Sequence, residues 1–61
     1  MKIIGFYKDY TLVECGGVYS VVDMTDRRNK KILFKSLTEE GASKYFIMLV
    51  AGFINELGEA V

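Results

Sequence analysis

The stretch Lys44–Leu57, KYFIMLVAGFINEL, decides how this chain folds. From Tyr45 to Ile54 it runs ten positions with no charge and no amide. A helix that crosses a bilayer needs about 20 apolar residues, and this run supplies about half of that. A helix resting on the protein's own body is the better reading.

The spacing bears this out over a longer window. At about 100° per residue, Ala42, Phe46, Leu49, Phe53 and Leu57 form one apolar stripe, enough to cover a small sheet. Upstream, Ser36 with Glu39 three positions on has the form of a capping box, and Glu39 and Glu40 suit the positive end of a helix dipole. Gly58 stands where a helix would end. These signals predict a helix over about 37–57.

A second stripe lies beside the first: Ser43, Ile47, Val50, Ala51 and Ile54, again at three- and four-residue spacing. With Tyr45 and Met48 it widens the apolar arc to about 200°, whereas a helix on one sheet needs little over ~100°. Left in water, Ile47, Val50 and Ile54 would each forgo about 2 kcal/mol. The pattern therefore predicts a homodimer through the helix, with Ile47, Val50, Ala51 and Ile54 at the interface. The alternative is that a curled sheet or the N-terminal strand wraps round and buries them. A membrane-surface helix is disfavoured, because the polar strip lacks the lysines such helices carry.

The first half of the chain reads as strands. KIIGFY (2–7) and YTLVEC (10–15) are β-prone and separated by the polar break Lys8-Asp9. Gly16-Gly17 permits the positive φ angles of a two-residue hairpin turn. VYSVVDM (18–24), the polar TDRRN (25–29) and KKILFK (30–35) follow. Alternation along 30–35 puts Ile32 and Phe34 toward the core and Lys31 and Lys35 toward solvent. In 18–24 the alternation is weaker, and the second face is partly apolar too. The predicted fold is α+β: an antiparallel meander of three to four short strands followed by one C-terminal helix packed on one sheet face.

At 61 residues the chain makes one domain, 1–61, with a thin stability margin. Its single cysteine, Cys15, closes no internal disulfide, and with no histidine no zinc-finger spacing exists. Association is the remaining way to support so small a core. Cys15 reads as a small buried or half-buried apolar residue, and one cysteine suits a reducing, cytoplasmic setting. MKIIGF has no apolar segment long enough for a signal peptide.

Catalysis needs a constellation that these residues do not form. Without histidine a serine or cysteine nucleophile lacks its commonest base, adjacent Glu39 and Glu40 point apart on a helix, and Gly16-Gly17 is no phosphate-binding loop. No enzyme activity, metal or cofactor is expected. Eight basic and eight acidic residues balance, which argues mildly against general nucleic-acid binding. Yet Arg27, Arg28, Lys30, Lys31 and Lys35 lie close together at a hairpin tip and along the next strand. With Tyr19 as an aromatic neighbour they are the candidate contacts for a partner or a phosphate backbone.

Two resemblances bear on function. GVYSVVDMTDRRNKKILFKSLTEEGASKYF (17–46), with VYSVV, a basic turn, a phenylalanine and TEEGA, resembles the arm-binding domain of tyrosine recombinases. That resemblance implies a three-stranded sheet on a helix that contacts DNA. In size, lack of catalytic groups and the over-apolar helix Tyr45–Ile54, the chain also resembles the short proteins with which phages block bacterial defence, including the Hachiman anti-defence proteins. This second resemblance implies a compact, non-catalytic, often homodimeric inhibitor. The expectation is a non-enzymatic homodimeric protein-binding module, an inhibitor of a bacterial host protein working in the host cytoplasm. It would meet its partner through the outer sheet face and the 26–31 turn. A small DNA-binding domain using the sheet and the same turn is the alternative.

Overall fold

The computed structural model describes all 61 residues, Met1–Val61. Four six-residue strands, β1 (Lys2–Tyr7), β2 (Tyr10–Cys15), β3 (Val18–Asp23) and β4 (Lys31–Ser36), are followed by one helix, α1 (Glu39–Val50). The strands form one antiparallel sheet in the order β1-β2-β3-β4. α1 lies across β2, β3 and β4, which makes the fold the expected α+β arrangement. Gly16 and Gly17 turn the central hairpin at φ of 60° and 84°, values open to glycine without strain. The Glu14 carboxylate accepts the Gly17 N–H at 2.8 Å and ties the turn to its own strand.

The helix is shorter at both ends than the predicted 37–57. Ser36 does not cap it, because β4 runs on to Ser36, which pairs with Tyr19. Thr38 takes the capping role, its hydroxyl accepting the Gly41 N–H at 3.2 Å. At the other end Gly52, at φ 83°, replaces Gly58 as terminator. The Phe53 N–H bonds back to the Met48 carbonyl at 2.9 Å, and the Gly52 N–H to Leu49 at 3.2 Å. Those two bonds are a Schellman motif, which satisfies the last carbonyls and turns the chain out of the helix.

Residues 53–61 then fold back as a tight turn. The Asn55 side-chain oxygen accepts N–H groups from Leu57 at 2.9 Å and Glu59 at 3.0 Å, and Ile54 bridges to Ala60. The expected stripe accordingly stops at Leu49. Phe53 and Leu57 are exposed, while Ile54 joins Leu12, Val21, Ala42 and Leu49 in the core.

Both edge strands carry a bulge. On β1 the pairing steps from Ile3↔Val13 to Gly5↔Leu12, leaving Ile4 extra; on β4 it steps from Val21↔Phe34 to Val22↔Ile32, leaving Leu33 extra. Ile4 and Leu33 pack against the core. The extra residue shifts the alternation, so Phe34 faces α1 as expected but Ile32 faces the other way.

Candidate protein-docking surface

Pairing register sorts the strand side chains onto two faces. Toward α1 stands the row Gly5, Leu12, Val21 and Phe34. On the opposite face two rows follow: Ile3, Val13, Ser20 and Lys35, then Phe6, Thr11, Val22 and Ile32. The helix and the buried part of the C-terminal turn both pack on the first face. Nothing covers the second. Ile3 is 61% exposed, Phe6 76% and Ile32 53%.

At the centre of this bare face Val13 and Val22 are buried. They floor a shallow hollow of about 80 Å³ whose walls include Met1, Ile3, Met24 and Lys30. The hollow is lined mainly by apolar side chains and opens to solvent.

The rim is basic. Lys35 stands on this face opposite Ser20, Lys30 walls the hollow, and Arg27 and Arg28 are exposed in the β3–β4 connection. The strand carboxylates lie elsewhere: Glu14 pairs with Tyr19 and Asp23 with Tyr10, both on the helix side. Asp26 is occupied within its own loop, accepting the Arg28 N–H at 3.0 Å and the Asn29 amide at 3.3 Å. These bonds hold its carboxyl below the usual range and fix the loop that displays the arginines.

The five cations predicted as one cluster are divided by the sheet. Without a bulge Lys31 and Lys35 would share a face, but the extra Leu33 sends Lys31 to the helix side, opposite Asp23. Tyr19 is also on the helix side, half-buried against the core, and offers no aromatic platform beside Lys35. Of the expected interface residues, Ile47 is 60% exposed, Ala51 is exposed and Val50 half-buried, whereas Ile54 is only 8% exposed and lies beyond the helix. The ridge that motivated pairing through α1 is thus reduced mainly to Ile47. Ile3, Phe6, Val13, Val22 and Ile32 were not among the residues singled out; the partly apolar second face of 18–24 was their one signal.

A polar group closes the helix side of the sheet. Thr25, through its hydroxyl and its N–H, donates to Asp23 and holds that carboxyl below its ordinary range. The Glu56 carboxyl, from the C-terminal turn, is pushed up by the neighbouring Asp23 carboxyl and by desolvation. Lys31 attracts both. No set of three or more Cys, Asp or Glu side chains is placed to hold a metal.

The chain matches no family model, no curated protein and no solved structure in comparisons with known proteins. No helix is long and apolar enough to cross a membrane.

Proposed function

We propose that this protein is a non-enzymatic protein-binding module and that the sheet face opposite α1 is its docking surface. One observation carries the reading: Ile3, Phe6 and Ile32 stand in solvent on a sheet face that no helix covers, and Ile3 borders an apolar hollow there. Burying a large apolar side chain fully contributes about 1.5–3 kcal/mol, so covering three that are half to three-quarters exposed favours association by several kcal/mol. Exposed apolar side chains gathered on one face mark interaction sites. The basic rim gives the face a sign, which selects partners and speeds encounter.

The role we propose for such a module is inhibition of a bacterial host's defence protein by occupying its surface. Its support is the resemblance to short phage inhibitors, and occupation calls for area and charge with no catalytic group. DNA binding is the second reading, favoured by exposed Arg27, Arg28 and Lys30 beside Lys35. The apolar centre between those cations fits a protein surface better than phosphates.

The test is stoichiometric capture from bacterial lysate by the wild type and by Phe6→Asp/Ile32→Asp, with folding checked by circular dichroism. Capture that the double variant loses supports the module. Capture that ignores the variant, or duplex DNA binding that weakens steeply with salt and with Arg27→Ala/Arg28→Ala, overturns it.

A further inference from the structure

We infer that the outer edge of β1 pairs with β1 of a second copy, joining two chains through one continuous antiparallel sheet. Whatever covers the bare sheet face, this edge is separate from it. Backbone directions argue first. The Met24 N–H bonds to the Asp9 carbonyl at 2.7 Å. By alternation Thr11, Val13 and Cys15, like Asp9, turn their main-chain groups to β3, and Tyr10, Leu12 and Glu14 turn theirs to β1. Their partners Tyr7, Gly5 and Lys2 are thereby used, which leaves Phe6 and Ile3 presenting N–H and C=O outward. None of the backbone bonds made outside the helix and the strand ladders involves residues 1–8.

The bulge chooses the occupant. On a regular strand outward-bonding residues alternate, two apart, but the extra Ile4 sets Ile3 and Phe6 three apart. A flat strand cannot bond at both. A second β1, turned about a two-fold axis between Ile4 and Gly5, can: Ile3 meets Phe6 of the other copy, Phe6 meets its Ile3, and each pair exchanges N–H···O bonds. These pairs set a β-branched side chain 61% exposed in the single chain against an aromatic one 76% exposed. Ile4 falls opposite Gly5, where an added Cβ would meet nothing within 4 Å and φ is not positive. No turn or crowding inside the chain requires that glycine, and a strand glycine suits close approach of another backbone.

The other edge is guarded. β4 has the same three-residue gap, between Ile32 and Lys35, but it carries Lys31 and Lys35, and lysine on an edge deters pairing. β1 carries one charge, Lys2, while Met1, Ile3, Phe6 and Tyr7 are four of the ten large apolar residues left exposed. Pairing β1 with β4 of another copy would oppose Ile3 to Lys35 and build open chains, whereas β1 with β1 closes at two. α1 packs mainly on β2, β3 and β4, so it leaves the β1 edge clear.

Sedimentation of the chain alone, at up to about 100 μM, is expected to show a dimer. Phe6→Pro removes only the outward N–H, and Phe6→Lys places a charge in each pair; both should weaken association at least about tenfold. Circular dichroism verifies folding, and should the proline variant fail to fold, the lysine variant decides. Register is read by oxidation in a Cys15→Ser background. Ile3→Cys mixed with Phe6→Cys should cross-link at least about tenfold faster than either alone, because the mixed pair stands about 5.5 Å apart and identical positions lie three residues, roughly 10 Å, further along. A monomer at about 100 μM overturns the inference. So does a dimer that the folded Phe6 variants leave intact, whether Ile32→Asp or Ile47→Lys dissociates it or neither does. Growth into open polymers overturns it, as does cross-linking of the mixture no faster than of the single variants.

Discussion

Tyr45 stacks on Phe34 with ring centroids 4.4 Å apart and planes 8° from parallel. The same tyrosine donates its hydroxyl to the Glu56 carbonyl at 3.3 Å, and a methyl group on Gly58 would meet its ring at 3.5 Å. One side chain of α1 therefore joins the edge strand to the C-terminal turn. Tyr45→Phe keeps the stack and loses the bond, and is expected to cost about 0.5–1.5 kcal/mol in urea unfolding. Tyr45→Ala loses both, at about 2–3 kcal/mol. Equal losses for the two variants would show that the stack contributes nothing.

The start of α1 depends on a space that only glycine leaves. A Cβ on Gly41 would lie 2.8 Å from the Ser36 hydroxyl and 3.1 Å from that of Thr38. Alanine is favoured over glycine inside a helix by about 1 kcal/mol, yet here the crowding opposes it. Gly41→Ala is expected to destabilise. In a Ser36→Ala background the same change should cost less or turn favourable, and a double-mutant cycle by urea unfolding reads the coupling.

Lys8 turns the first hairpin at φ 53°, in the left-handed region. That conformation costs a lysine about 1–2 kcal/mol. The Lys8 ammonium sits 5.5 Å from the Tyr7 ring centroid, and such an exposed contact returns about 0.5–1 kcal/mol. Strain exceeds the contact, so Lys8→Gly should raise stability, by up to about 1 kcal/mol on thermal or urea unfolding. A loss would mean that the cation–π contact outweighs the strain.

The Asp23–Glu56 pair makes stability depend on pH in two directions. Glu56 is pushed up, so the folded protein holds its proton more tightly than the unfolded chain does, and that stability is lost as pH rises through its folded pKa. Asp23 is held down, so its contribution is present above its unfolded pKa and lost as pH falls through the folded one. Glu56→Gln keeps the size and polarity of the side chain but cannot ionise. Urea midpoints from about pH 3 to pH 8 should keep the acid limb due to Asp23 and lose the decline above the ordinary glutamate range. An unchanged profile would remove Glu56 from the account.

The strands were legible because β-prone runs and a Gly16-Gly17 turn leave little choice of layout, and three of the strand-bordering turns fell within a residue or two of expectation. The ends of α1 were not. Ser36 and Thr38 both suit a cap, and only the pairing of Ser36 with Tyr19 decides between them. The apolar period continues past Gly52, so nothing in the pattern marks an end there; the back-bonding to Met48 and Leu49 ends the helix at that point. The apolar character of the bare sheet face was hidden by the bulge at Leu33. A one-residue insertion exchanges the faces of Ile32 and Lys31, and strict alternation cannot anticipate it.

The sheet face, and not the outward side of α1, is held to meet the partner. Two single-thiol proteins compare them directly, built on Cys15→Ser and carrying either Ser20→Cys, at the middle of the bare face, or Lys44→Cys, on the exposed side of α1. Saturation with the captured partner should slow thiol labelling of the first by at least about tenfold and leave the second unchanged. Protection of the helix thiol with the sheet thiol still free would contradict the account.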